Sequence, residues 1–591
     1  MAEIKFLALG GQDERGKNIF IVSVDDDLFV FDAGIKFPER SILGIDVVIP
    51  SFDYLKANSK RIKGIFLSNP SSNNAGSISY ILRDIDVPVY CNELTTTILK
   101  YRNLKYRIKN RENNFKIIKD KEIIKFGKNS IEVFRATASF PESFCFALHT
   151  EDGTIVYAGD YIMDGNEQSW FSTDMNHLSK ISEKGVLAFI SDSEFASRIG
   201  YTVPNHRIEK YITTPMKDMK HRIVLGIFEE DVFKLFEIIR QAKEQGRKMA
   251  IYGKTLVKVV ESKIIQDSLG ISKNDIISLE EYAKSEDGIL ILTGAGDLLY
   301  SRMAKIAAGN DDIIEFSEKD VIILATPPAA GVEKRHAEIL DELARTNAKL
   351  IALSDKNIWS MRASYEDIKL MTRIMNPKSF IPIKGLYKDF LCAEKAAQEA
   401  GIKPENIQLI NNGQVLKINK NGKLIVSSEV VKTSDVYVDG IGVGDIGAVV
   451  LNERKQLATD GAVIIGANLD DKTKELVSLI DIQMRGVIYI QDDNPIFKLL
   501  QKQIIDIFDK HREAMKINPN SYDMSLIKKE IISRTRSTLK QDTGKQPIVL
   551  VIVNEINTGS FYEPRRRATS FNTRVVNTNK TVAGNSNDST D

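Results

Sequence analysis

Short apolar runs alternate with polar turns along the first part of the chain. Residues 4–9 (IKFLAL), 18–24 (NIFIVSV) and 28–32 (LFVFD) predict successive strands, with the acidic triplet 25–27 a turn between two of them. The β-rich run 63–68 (KGIFLS) predicts another strand. It feeds NPSSNNAG (69–76), a loop of turn-forming residues, and then SISYILR (77–83), which reads as helix. Short strands alternating with helical stretches imply a layered α/β sheet.

The pattern changes between about 205 and 360. IVLGIF, KMAIYG, GILILTG and DVIILATPP are continuous apolar runs, separated by helical stretches such as 230–246 and 334–348. Uninterrupted apolar strands between helices predict a parallel sheet covered on both faces. A helix over about 365–380 then leads to the strand FIPI, a further helix and a short β-rich stretch, read as a return to the first domain. Residues 436–560 predict a smaller α+β unit with strands in GAVIIGANL, GVIYIQ and PIVLVIVNEI and a helix through 495–516. From Asn557 to Asp591 the chain is rich in Asn, Ser, Thr and Gly and reads as a disordered tail. Its Arg565, Arg566 and Arg567 belong to a solvated terminus, with a loose hook for RNA phosphates the sharper alternative.

Composition narrows the class. A chain of 591 residues is too long for one core. Its net charge of +1 excludes a polycation but leaves room for a local basic groove among 81 basic residues. Cys91, Cys145 and Cys392 are far apart and have no C-x-x-C spacing, which argues against a structural zinc site and fits a reducing compartment. No apolar run reaches the roughly 18 residues of a membrane span, and the N-terminus lacks a signal-peptide pattern. The expected location is cytoplasmic, with no membrane partner. Neither a phosphate-binding G-x-x-x-x-G-K-[ST] loop nor a G-x-S-x-G nucleophile turn is present. His336, on a charged helix, is expected on an exposed face. His206 and His221 have no acidic neighbours at metal spacing, and Cys145 is expected in the core.

Several blocks, in one order, resemble the ribonuclease J family. GGQDERGKN (10–18) resembles its GGLGEIGKN, and FDAGIKFPE (31–39) and LGIDVVIPSFDYLK (43–56) resemble its second block. FRATASFPESF (134–144) stands where the family has T-H-S-x-P-D-S; AGDY (158–161) resembles T-G-D-F, and SDS (191–193) resembles the start of S-D-S-T-N. MNPKSFIPIKGLYK (375–388) resembles a block ending I-P-V-H-G-E-Y, and VDGIGVGDIG (438–447) and DGAVIIGANLD (460–470) resemble the C-terminal half. The resemblance implies a metallo-β-lactamase αββα sandwich (1–204 and 361–435), an inserted β-CASP α/β domain (205–360) and a C-terminal α+β domain with its linker (436–556). It also implies 5′→3′ exonucleolytic and internal cleavage of RNA by a pair of zinc ions.

The family's ligand positions are altered in this chain. Its T-H-G-H-E-D-H slot reads Ser68-Asn69-Pro70-Ser71-Ser72-Asn73-Asn74. Amide and hydroxyl oxygens are neutral and poor zinc ligands. Ala138 and Lys384 stand at two further histidine positions. The carboxylates Asp32, Asp160 and Asp192 remain. One bridging carboxylate, Asp160, cannot assemble a dinuclear site; its expected role is to hold a turn by accepting backbone N–H bonds. No zinc is expected at the degenerate site. Lys384 is expected to pair with Asp160 and replace the lost positive charge, or else to bind an RNA phosphate. The family's H-x-S-G-H-G-S run, which holds an RNA phosphate, reads Ile358-Trp359-Ser360-Met361-Arg362-Ala363-Ser364. Ser360, Arg362 and Ser364, with Gly294 and Gly296 of a shortened glycine loop, are therefore the expected RNA contacts.

The reading that follows is a catalytically silent paralogue that pairs with an active ribonuclease J, or with itself, through its β-CASP and C-terminal regions and helps hold RNA. Alternatives are an active exo- and endoribonuclease with a rearranged metal site and a stand-alone RNA-binding scaffold. A metabolic hydrolase of the same fold fails on the same missing ligands.

Overall fold

The apolar runs near the N-terminus form the strands Ile4–Gly10, Ile19–Val24 and Asp27–Phe31, paired antiparallel in sequence. In the computed structural model, which describes residues 2–38, 42–105, 111–165, 170–218, 221–272, 274–328, 332–440, 442–444, 447–488 and 495–557, they lie at the middle of an eight-stranded sheet. Its other members are Ile62–Phe66, Val89–Cys91 and Phe115–Ile117 on one side, and Gln414–Ile418 and Leu424–Val430 on the other. The last two come from the far end of the domain, so the return of the chain is written into the sheet itself.

A six-stranded sheet faces it, in the order Ser379–Ile383, Val186–Asp192, Gly153–Ala158, Ser143–Thr150, Asn129–Ala136 and Ile123–Phe126. An aromatic core fills the space between the sheets, with Phe6, Phe20, Phe29, Phe31 and Phe66 from the first and Phe144, Phe146 and Tyr157 from the second. The Phe31 and Tyr157 rings stack at 4.8 Å. Helices cover both outer faces: Ile78–Asp84 and Glu93–Lys105 on the first, Met175–Glu183, Tyr365–Met375 and Tyr387–Glu399 on the second. This is the expected αββα sandwich. The helix Tyr365–Met375 stops where Asn376 turns left-handed (φ 42°), one residue before Pro377, which cannot continue it.

Between the second sheet's strands at 186–192 and 379–383 the chain builds a third, wholly parallel sheet. Its order is Met249–Tyr252, Ile289–Gly294, Arg222–Phe228, Asp320–Leu324 and Lys349–Ala352. Four of these strands are the apolar runs that the sequence predicts; the short fifth, Lys349–Ala352, is not among them. Separate apolar clusters on its two faces account for the uninterrupted hydrophobicity.

The chain divides into two compact units, one of residues 1–39 and 45–445, the other of 40–44 and 446–591. The strand Asp435–Asp439 pairs with Val47–Pro50, so VDGIGVGDIG begins inside the first unit. In the second unit the strand Ala462–Asp470 runs between Asp481–Arg485 and Ile548–Ile556. The helices Pro495–Ile517 and Met524–Thr543 supply apolar residues to the same core. Of the strand expected in GVIYIQ, residues 489–491 lie outside the described residues, and the preceding Asp481–Arg485 is a strand that ends at Gly486 (φ 69°). The helices Ala448–Asp460 and Met524–Thr543 are additions to the elements that the sequence predicts. The tail expected at 557–591 lies outside the described residues beyond Asn557.

Two histidine expectations are corrected. His336 is 9% exposed and packs edge-on against the Tyr300 ring, because the helix Glu333–Ala344 turns that position toward the sheet. His206 is fully buried, 5.0 Å from the Phe233 ring, and does have an acidic neighbour, with Nε2 3.8 Å from Asp164. Cys145 is in the core as expected.

Burial pushes the His206 pKa down from 6.5 to about 4. Below pH 6.5 the unfolded chain therefore binds the proton that the folded chain refuses. Stability is fully present above pH 6.5 and is lost as pH falls toward 4. We predict a loss of about 2 kcal/mol from this group between pH 7.5 and 5. Urea unfolding at the two pH values checks this, and a His206→Leu variant should show a shallower dependence.

Candidate functional site

The site forms where strands of both sandwich sheets end. Asp32 follows Asp27–Phe31, Ser68 and Asn69 follow Ile62–Phe66, and Asp160 follows Gly153–Ala158. Asp192 closes Val186–Asp192, and Lys384 follows Ser379–Ile383. Residues distant in sequence meet because aligned strands deliver their loops to one edge.

Asp32 and Lys384 both adopt left-handed backbone, with φ of 59° and 61°. A side chain in that region costs on the order of 1 kcal/mol, so the surroundings must hold each in place. For Asp32 they do. Its carboxylate accepts from the Ser68 amide at 2.8 Å, the Ser68 hydroxyl at 3.2 Å and the Tyr157 hydroxyl at 2.5 Å. Nearby, a Cβ on Gly34 would lie 1.6 Å from the Asn73 carbonyl oxygen, so only glycine permits this approach. Asn73 thus contributes backbone: its carbonyl accepts from the Asn18 amide.

Asp160 holds the centre. Its Oδ2 accepts from the Asn69 side-chain amide at 2.7 Å and from that of Asn74 at 2.6 Å. Its Oδ1 takes the Lys384 ammonium at 3.0 Å and pairs with the Arg362 guanidinium. The expectation of backbone N–H donors at Asp160 is corrected: the partners Asn69, Asn74, Lys384 and Arg362 are side chains, the first three of them at family ligand positions. Lys384 Nζ also donates to the Gly159 carbonyl at 2.8 Å and to Asn74 Oδ1 at 2.9 Å, and lies 3.5 Å from Asp32. Asn74 is oriented by the Asn18 amide, which donates to the same Oδ1 at 3.0 Å. Asn69 Oδ1 caps the loop by accepting from the Ser71 amide at 3.0 Å. Ala138 is buried and brings no donor atom.

Burial dominates the electrostatics. It pushes Lys384 and Arg362 down, the latter to about 10, although the carboxylates around them oppose the shift. It pushes Asp192 up to about 7 against the pull of Lys384. Asp192 Oδ1 accepts from the Glu194 amide at 3.0 Å, and Oδ2 is buried without a hydrogen-bond partner among the described residues.

The residues present do not fit two zinc ions. The slots for neutral imidazole donors hold amides whose N–H groups point at Asp160, and two cations occupy the carboxylate that would bridge the metals. Among the described residues no three His, Cys, Asp or Glu are arranged to hold a metal ion. Five of the six histidines lie beside acids elsewhere: His149 and His177 at Glu132, His206 at Asp164, His221 at Asp218 and His511 at Glu530.

Of the expected RNA contacts, Ser364 is buried and caps the helix Tyr365–Met375, with its hydroxyl bonded to the Gly200 carbonyl and to Asp367. Lys384 is 1% exposed and fully engaged inside the site. Ser360 is half-buried, and Arg362 faces Asp160 and Glu194. Gly294 and Gly296 lie apart from this cluster in the inserted sheet, next to the helix Asp297–Ala307. Sequence reasoning missed Asn18, Tyr157, Glu194 and Arg15. Glu194 and Arg15 carried a signal, as charged residues placed where the family's S-D-S-T-N has threonine and its GGLGEIGKN has isoleucine.

Comparison with known proteins agrees with this architecture. Residues 220–343 match the model of the ribonuclease J β-CASP domain, and 449–556 match that of the ribonuclease J C-terminal domain. A protein named ribonuclease J 2 from Staphylococcus aureus (strain MRSA252) is 31% identical over 557 residues, covering 94% of this chain and 98% of its own. Its namesake from Staphylococcus epidermidis is 31% identical over 561 residues, with the same shares covered. No helix among the described residues is long and apolar enough to cross a membrane. With nearly the whole of both chains aligned and both domain models matched in order, the chain belongs to the ribonuclease J family, whose members process RNA.

Proposed function

We propose that this protein is a catalytically silent member of its family, acting in RNA processing and mRNA decay beside an active ribonuclease J and contributing structure and RNA contact. The observation that carries the reading is the placement of Lys384. Two-metal hydrolysis needs imidazoles and carboxylates that hold cations and lower the pKa of a bound water. Here an ammonium sits 3.0 Å from Asp160 and a guanidinium pairs with the same carboxylate. Two side-chain cations place positive charge beside Asp160, and neither can activate a water as a Lewis acid. The family's C-terminal and β-CASP domains, both matched here, are the regions through which an active paralogue or a second copy would dock.

Metal content of the full-length chain, measured by mass spectrometry alongside cleavage of a 5′-monophosphorylated RNA, tests the reading. The expected outcome is no stoichiometric metal, no cleavage and co-purification with an active ribonuclease J. About two metal ions per chain, with cleavage lost in Asp160→Ala, would overturn it in favour of a rearranged active site. RNA binding with no such partner would favour a stand-alone scaffold.

A second prediction concerns Lys384. Lys384→Met leaves Asp160 and Asp32 buried beside a missing cation. The expected cost is about 3–5 kcal/mol, read as a lower urea midpoint and not restored by added zinc.

A further inference from the structure

The sheet of the second unit is packed on one face. Val463, Ile465, Leu469 and Val549 share a core with the helices Pro495–Ile517 and Met524–Thr543. A strand whose other face is solvated should carry polar residues there. Ile548–Ile556 does not. Its outward positions include Leu550 and Ile552, each 52% exposed, and Ile556 at 41%. Ile464 of the neighbouring strand, 37% exposed, lies opposite Leu550 and widens the same apolar row.

This strand is also the last in its sheet. It pairs along one edge with Ala462–Asp470, and no strand among the described residues pairs with its other edge. A long apolar edge strand offers unpaired backbone donors and acceptors, and folded proteins cover such an edge with further chain. The helix Ala448–Asp460 meets the chain just before the strand, where the Gln456 side-chain amide donates to the Gln546 carbonyl at 2.6 Å. The exposed residues lie farther along.

The chain carries a segment suited to that edge. It leaves the strand at Ile556 and continues to Asp591. Residues 569–577 (TSFNTRVVN) differ from the polar sequence around them. Phe571, Thr573 and Val575 fall on alternate positions, and aromatic and β-branched residues favour extended chain. The connector 558–568 holds Gly559 and Pro564, residues that suit a reversal of direction. At about 3.3 Å per residue the connector reaches farther than the nine-residue strand is long. Tethering sets the local concentration of the segment at this edge on the order of millimolar, which favours it over a separate chain.

We propose that residues 569–577 add to the free edge of Ile548–Ile556 as an antiparallel fourth strand of this three-stranded sheet, setting Phe571 and Val575 beside Leu550 and Ile552. Backbone hydrogen bonds along the edge supply the affinity. The apolar row fixes which side of the segment faces outward. The chain thereby closes its own edge, and a second chain must displace the segment to use it.

Hydrogen–deuterium exchange of the full chain, corrected for intrinsic rates, tests the proposal. The expected result is exchange about tenfold or more slower in 569–577 than in 578–591. Phe571→Asp/Val575→Asp changes no residue of the packed core. It should abolish the protection of 569–577 and speed exchange in 548–556. Equal corrected rates for 569–577 and 578–591 in the parent would overturn the proposal, as would protection that the variant keeps. Protection of 569–577 that fades on dilution would give the edge to a second copy, again against the proposal. Protection that arises only when oligoadenylate or an active ribonuclease J is added would also count against it.

Discussion

The structure at the end of the sandwich depends on balancing buried negative charge. Asp32 and Asp160 lie at 0% and 2% exposure, and a carboxylate there is tolerable only if paired and hydrogen-bonded. Lys384 meets both, Arg362 meets Asp160, and amides from Asn69 and Asn74 fill the remaining oxygen. Removing metal ligands without this balance would leave the loop ends of both sheets repelling one another. The left-handed backbone of Asp32 and Lys384 is held by the same interactions, so strain and charge are satisfied together.

The balance also explains why the fold can keep its shape after its donors are replaced. Asp32, Asn69, Asp160 and Lys384 follow strands packed in the interior of the sandwich, while Asn74 comes from the short helix Ser72–Ala75 and Arg362 from the segment before Tyr365–Met375. Tyr157 is the point where core and site meet. Its ring stacks on Phe31 in the core while its hydroxyl donates to Asp32. The ion pairs then continue outward from Asp160 through Arg362 and Glu194 toward Arg15.

Much of the architecture was legible because the physics that makes each element is local. Strands at 4–10 and 289–294 were readable from uninterrupted or alternating apolar residues, and a helix beginning near 365 was readable too, although it stops at Met375 and not near 380. The second unit was less legible. The strand Asp481–Arg485 is short and mostly polar, packing one side only, so the more apolar neighbouring run reads as the strand in its place. The helix Met524–Thr543 carries many charged and polar residues and commits to a helix through the core it shares with Pro495–Ile517. His336 was misplaced because burial depends on what a helix packs against, not on its own composition.

For the site, the sequence by itself determined which residue types stand at the family's ligand positions: an alanine, a lysine and neutral amides. It also determined that Asp160 and Lys384 carry opposite charge. Only the tertiary structure decided that the Asn69 and Asn74 amides turn their N–H groups onto Asp160, that Arg362 faces inward to it, and that Glu194 joins Arg362 to Arg15. The physical reason is separation. Residue type is fixed by local sequence, but whether a polar group is paired, buried or left with an unused donor depends on atoms brought from hundreds of residues away.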